Sequence, residues 1–293
     1  MRESDWYSDI LSFFSSILVE RIIRHINSKM QFCIRVIEKI LCKSASSKIV
    51  SKQVFILLSI AKVHTSFCDI CSKRELSFEL NAMIETGADA VVWVSNRLDL
   101  HNEGDATWLR NAEKLLSKLP TNAMFGMYEC PVPYKRLLSK EILDWCKDTK
   151  RFLFIKDTCC DPNLLCERLK QLENSNIGLF NANSQTLLHS LNHGAAGFSG
   201  IMANFHPSLY VWLCREFNSH PETAEHLQQL ITMCAFASMS YPVTAKYYLS
   251  KSDIPMDLHT RTRSETELNS YQKIVLDQMR NLTDRVYESI KAL

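Results

Sequence analysis

From residue 71 onward the apolar positions of the chain switch repeatedly between two periods. Over 74–86, Leu76, Leu80, Met83 and Ile84 recur at three- and four-residue spacing, the stripe of an amphipathic helix, and Gly87 follows as its C-terminal cap. Ala90-Val-Val-Trp-Val94 is then a continuous apolar run of strand length. The alternation continues, predicting helices over 107–118, 140–147, 164–172, 185–192 and 207–217. Strands are predicted over 123–128, 152–156, 178–181 and 197–202. Strands separated by helices at intervals of about twenty to thirty residues predict parallel βαβ units.

Five strands fall between residues 90 and 202. Three further units in residues 1–75 would complete an α/β fold of the TIM (β/α)8 barrel type over 1–216. That first segment is atypical, because residues 1–86 contain neither Gly nor Pro. One helix is predicted there, with Met30, Cys33, Ile34, Ile37, Ile40 and Leu41 on one stripe. Phe55 to Ile60 suits a buried strand or a helix core equally. Beyond residue 217 the strand pattern stops, and 217–293 reads as a C-terminal helical region. Its helices over 222–239 and 264–293 are joined through Tyr241-Pro242-Val-Thr-Ala-Lys246. Ser264-Glu-Thr-Glu267 forms a capping-box pattern, and Leu268, Tyr271, Val275, Leu282, Val286 and Ile290 mark the buried face.

The 293 residues are 46% hydrophobic and 23% charged, with a formal charge of +2. That balance gives no electrostatic reason for a nucleic acid or membrane partner. The longest apolar runs, Ile10 to Val19 and Phe55 to Ala61, are too short to span a bilayer. The 11 cysteines are scattered and no secretory signal is recognisable, so reduced thiols in a cytoplasmic compartment are expected. Cys68-Asp-Ile-Cys71 has metal or redox spacing but lacks a second pair, and reads as two structural cysteines. The rival reading joins Cys68, Cys71 and His64 in a metal site of an interaction protein. No metal and no cofactor are expected.

Candidate chemistry gathers at the predicted strand ends, where barrel active sites lie. In Phe152-Leu-Phe-Ile-Lys156, alternation places Lys156 on the face of Phe152 and Phe154. An ammonium near apolar rings is disfavoured, which makes its free amine available as a nucleophile. The other strand ends are Tyr128, Asn181 with Asn183, and the segment after Gly197-Phe-Ser-Gly200. A phenol and an amine on successive strands suit imine chemistry.

Four segments resemble the dihydrodipicolinate synthase / N-acetylneuraminate lyase family, in its order and near its spacing. They are Gly87-Ala-Asp-Ala-Val, Tyr128-Glu-Cys-Pro131, Ile155-Lys-Asp-Thr158 and Gly194-Ala-Ala-Gly-Phe-Ser-Gly-Ile-Met-Ala-Asn204. The resemblance covers about residues 71–217 and, more loosely, the helical tail. It implies a lyase or aldolase in which Lys156 forms a Schiff base with pyruvate or a related 2-oxo acid. The derived enamine would attack an aldehyde, or the reverse reaction would cleave an aldol. Tyr128 would relay protons, the backbone around Ser199 and Gly200 would line the pocket, and Asn181, Asn183 and Glu129 would contact substrate. Helix capping is the alternative for the two asparagines, and a solvated loop charge for Glu129. A homo-oligomer, dimer or tetramer, is implied as well.

The departures are specific. The family's Thr-Pro strand and Gly-Thr-Thr-Gly-Glu loop, which hold the pyruvate carboxylate, cannot occur before residue 87 without Gly or Pro. Other groups hold that carboxylate, or the site is impaired and the protein binds a metabolite or partner instead, or residues 1 to about 65 do not represent the functional N-terminus. Pro133 stands where dihydrodipicolinate synthases carry an aldehyde-binding arginine, with Lys135 and Arg136 close by, and Ser95-Asn-Arg-Leu has no tyrosine for a neighbouring subunit.

Overall fold

A computed structural model describes residues 57–58, 73–85, 87–252, 256–260 and 263–293. The predicted helix at 30–41 and the Cys68, Cys71 and His64 cluster lie outside the described residues. The described residues form two compact units that divide between Leu153 and Phe154.

In the first unit, β1 (Leu57–Leu58), β2 (Val91–Val94) and β3 (Phe125–Tyr128) pair in parallel, with Leu57 opposite Val91 and Val94 opposite Tyr128. Within the run 55–60, then, the described pair is strand. Helices α1 (Lys73–Glu85), α2 (Asp105–Leu116) and α3 (Lys140–Thr149) connect or follow these strands. Gly87 ends α1 at a φ of 81°, with its N–H donating to the Ile84 carbonyl. β2 and β3 are buried at every position, as strands covered on both faces must be. Trp93, Trp108, Phe125, Trp145 and Phe152 form the aromatic centre of this unit. The Trp93 and Phe125 ring centroids are 4.9 Å apart, and Trp108 meets Trp145 edge-on at 5.6 Å.

The lead-in to β4 (Phe152–Asp157) is set locally. Ser139 caps α3 by accepting the Ile142 N–H, and Lys150 ends it at a φ of 55°, a left-handed stop that turns the chain directly into the strand. The Phe125 N–H donates to the Arg151 carbonyl, and the Arg151 guanidinium lies 4.8 Å from the Phe125 ring centroid.

In the second unit β4, β5 (Gly178–Asn181) and β6 (Gly197–Phe198) are parallel neighbours. Helix α4 (Pro162–Leu172) opens with Asp161 accepting from the Asn163 and Leu164 N–H groups and Pro162 in its first turn. The helix expected over 185–192 is a 3-10 turn, Ser184–Thr186, running into a short α5 (Leu187–Asn192). The strand expected over 197–202 ends at Phe198 and gives way to a 3-10 turn, Ile201–Asn204. α6 (Pro207–Glu216) and α7 (Pro221–Ala235) follow.

Two expectations for the tail need correction. The segment joining the last helices is itself helical, α8 (Val243–Ser250). The last helix, α9, begins at Ser270 rather than Ser264: Ser264 caps only a 3-10 turn, and the capping box is formed by Asn269 and Gln272. Of the expected buried face Leu268 and Ile290 are buried, but Tyr271 and Leu282 are exposed, and Leu276, Met279 and Thr283 are buried instead.

Candidate active site

The candidate site residues fall in both units. In the second, the ladder aligns three strand ends. Lys156 stands opposite Phe180, Asp157 opposite Asn181, and Asn181 opposite Phe198. The alignment continues past the strands, since the Ala182 N–H donates to the Asp157 carbonyl and the Ser199 N–H to the Asn181 carbonyl, at 3.0 and 2.8 Å. Lys156 is half-buried at this edge. The alternation around it is only partly that of a two-faced strand. Leu153 is exposed, whereas Phe154 and Ile155 are both buried, so the strand is covered on both faces as it approaches Lys156.

Asp157, directly after Lys156, is fully buried and paired with Arg168 of α4. Its Oδ1 also accepts the Cys159 N–H at 2.9 Å. Burial, helped by the Asp157 carboxylate, pushes the Cys159 thiol up to about 12. Cys159 is therefore protonated near neutral pH.

Asn181 is buried, and its amide is engaged by its own loop. Nδ2 donates to the Thr186 carbonyl, to Thr186 Oγ1 and to Ser190 Oγ, while Oδ1 accepts the Asn183 N–H. Asn183 caps the following 3-10 turn, its Oδ1 accepting the Thr186 N–H at 3.1 Å. Both asparagines thus shape the edge beside Lys156. Gly200 is required by contact rather than by backbone angle: a Cβ there would lie 2.3 Å from the Ala182 carbonyl oxygen. Phe198 stacks on Tyr210 at 4.1 Å, and Tyr210 stacks on His206 at 5.5 Å. Tyr210 also shares a 2.8 Å hydroxyl hydrogen bond with Ser184.

In the first unit Tyr128 ends β3 and is buried. Glu129 is not a solvated loop charge. It is fully buried, and its Oε1 accepts the Leu138 N–H at 2.7 Å. The loop after it is fastened by groups that sequence reasoning missed. Asn96 Nδ2 donates to the carbonyls of Cys130, Val132 and Tyr134, and Ser95 Oγ to that of Arg136. Arg136 is buried and bridges Asp99 at 2.8 Å and Asp105 at 2.7 Å. Lys135, by contrast, is exposed. A cleft of about 230 Å³ in this unit is lined by Leu76, Arg97, His101, Arg110 and Lys114. It contains none of the sequence-predicted site residues.

No family model matches this sequence, and no curated protein compared with it is similar in sequence. Solved structures are similar. The 4-hydroxy-tetrahydrodipicolinate synthase of Methylacidiphilum fumariolicum SolV superposes with a TM-score of 0.63 at 17% identity, covering 75% of this chain and 73% of that one. A Ruminococcus gnavus sialic acid aldolase, a catalytic lysine mutant, gives 0.61 at 13% identity, with 73% and 71% covered. A prophage protein of the dihydrodipicolinic acid synthase family from E. coli K12, in complex with pyruvate, gives 0.61 at 17%, with 73% and 72% covered. The fold is that of the dihydrodipicolinate synthase / N-acetylneuraminate lyase barrels. Lys156 and Asn181 lie at the C-terminal ends of β4 and β5, and Ser199 directly follows β6. No described helix is long and apolar enough to cross a membrane.

Proposed function

We propose that this protein is a class I aldolase or lyase that forms a Schiff base between Lys156 and pyruvate or a related 2-oxo acid. The observation that carries the reading is the place of Lys156. It is a half-buried amine at the end of β4, in register with the aligned ends of β5 and β6, in a chain with an aldolase barrel fold. One protein of that fold was solved with pyruvate and another with its catalytic lysine replaced, which supports a lysine and a 2-oxo acid here.

The Lys156 amine adds to the ketone carbon, the carbinolamine loses water, and the resulting imine acidifies the adjacent methyl. Loss of one methyl proton gives an enamine that attacks an aldehyde, and the reverse sequence cleaves an aldol. The proton transfers of this sequence need a general acid/base, and Tyr128, a buried phenol at the end of β3, is the candidate that the family resemblance names. Ser199 and Gly200 line the pocket with backbone. Asn181 and Asn183 act by fixing that backbone, since their amides are engaged within the loop. Arg136 is held by Asp99 and Asp105, which argues against its reaching an acceptor's carboxylate. Lys135, exposed and next to Arg136 in the chain, is the alternative candidate for an anionic acceptor.

Borohydride reduction in the presence of pyruvate tests the reading. The expected result is a stable adduct mapped by mass spectrometry to Lys156 and lost in Lys156→Ala. Failure to trap any of a panel of 2-oxo acids would sink it and favour a metabolite-binding or interaction protein that lacks the carboxylate loop.

A further inference from the structure

We propose a second site, a transition-metal site of the zinc class formed by Cys166, His189 and His193 on the outer helices of the second unit. Cys166 lies in α4, His189 in α5, and His193 directly after α5, so a bound ion would tie the two helices together. The candidate donor atoms of the three residues all lie within 4.8 Å of one another. Cys166 Sγ is 3.2 Å from His189 Nε2. Donors around a tetrahedral zinc, at about 2.3 Å for sulfur and about 2.0 Å for nitrogen, are about 3.3–3.6 Å apart. Closing the site therefore needs only side-chain adjustment.

The second imidazole is already oriented. His193 Nδ1 is 2.7 Å from the His189 carbonyl oxygen, a bond in which the ring nitrogen must be the donor. That fixes the tautomer and leaves Nε2 as the ligating atom, the arrangement by which metal-binding histidines are usually held. The scaffold beneath is firm: Leu165 and Leu169 of α4 and Leu187, Leu188 and Leu191 of α5 are buried. Cys166 is half-buried and both histidines are exposed, so a fourth position faces water. One thiolate and two imidazoles select zinc, cobalt, nickel or copper over magnesium or calcium. On binding, the Cys166 S–H bond breaks, its proton passes to solvent and a metal–sulfur bond forms; no electrons are exchanged.

The site has structural reach. Two residues after Cys166, Arg168 holds Asp157 beside Lys156, and one residue after His189, Ser190 accepts from Asn181. An ion clamping α4 to α5 would brace both supports of the strand edge. This does not depend on the aldolase reading, and its test uses no turnover.

Cobalt(II) titration of the full-length reduced protein reads the site through its thiolate-to-cobalt absorption. One cobalt per chain is expected. Cys166→Ser should abolish the thiolate band, and His193→Ala should weaken binding by more than about tenfold. A Cys68→Ser/Cys71→Ser double variant should keep the band. Absence of the band in the unaltered protein, its survival in Cys166→Ser, or its loss in the double variant would each overturn the proposal. His193→Ala, at an exposed position, provides the answer should Cys166→Ser fail to fold.

Discussion

Arg168 donates to the carboxylate of Asp157 where both are withdrawn from water, at 3% and 0% side-chain exposure, one residue beyond Lys156. The pair joins helix α4 to the end of strand β4. It thereby fixes the backbone that carries Lys156 from the helix side, while the Ala182 N–H fixes it from the neighbouring strand.

Removing one member of this pair strands the other as a buried charge. Arg168→Met should destabilise the protein by about 3–5 kcal/mol in denaturant unfolding. The double change Arg168→Met/Asp157→Asn should recover part of the loss, since a neutral amide costs less to bury than an unpaired carboxylate. Equal losses in the single and double variants would show that packing of the Arg168 stem, not its charge, holds the junction.

Arg136 is a cation held by the protein's own carboxylates. With Asp99 and Asp105 at 2.8 and 2.7 Å, its guanidinium bridges two carboxylates, a geometry that a single ammonium cannot copy. Arg136→Lys should lower stability by about 1–3 kcal/mol, while the yield of the pyruvate adduct on Lys156 at low temperature stays unchanged. Lys135→Ala should do the reverse in an acceptor-dependent assay, raising KM for an anionic aldehyde without moving the unfolding midpoint.

The sequence disclosed the elements best where a single local rule governed them. The β5 strand, 178–181, matches its expected span, and the helices expected over 140–147 and 164–172 are found at 140–149 and 162–172, where the Ser139 and Asp161 caps set their starts. It misplaced the start of α9 because Ser264 and Asn269 both satisfy a capping pattern. Only packing of Leu276, Met279 and Thr283 decides between them. Buried partnerships were the least legible. Arg136 with Asp99, Arg168 with Asp157, and Asn96 with the 130–134 loop join residues whose sequence separation carries no signal. The i,i+4 spacing of His189 and His193 was readable, but Cys166 comes 23 residues earlier, and only the packing of α4 on α5 brings it to them.

Gly200 tests the close approach at the strand edge. Its backbone, at φ −116° and ψ 163°, suits any residue, so the demand for glycine is purely steric. An added methyl would meet the Ala182 carbonyl oxygen and the tip of Phe198 at 2.3 Å each, and the carbonyl is fixed in the chain beside β5. Gly200→Ala should therefore cost about 1–3 kcal/mol of stability and displace the Ser199–Gly200 backbone. The rate of adduct formation on Lys156 should fall with it. Wild-type stability and adduct rate in this variant would show that the loop has room to spare.

His206 sets an acid limit on the second unit. The ring is buried between Tyr210 and Tyr248, and among the described residues neither nitrogen has a hydrogen-bond partner. Burial lowers its pKa to about 4. Because the folded value lies below that of the unfolded chain, about 6.5, the unfolded state takes up the proton first as pH falls. Stability is therefore full above about pH 6.5 and is lost progressively down to about pH 4, by a total of about 3 kcal/mol. His206→Phe keeps a ring in the stack with Tyr210 and has nothing to titrate. Urea unfolding at pH 7 and pH 4.5 should show a smaller loss for His206→Phe than for the unaltered protein. An identical loss in the two would assign the acid sensitivity to other groups.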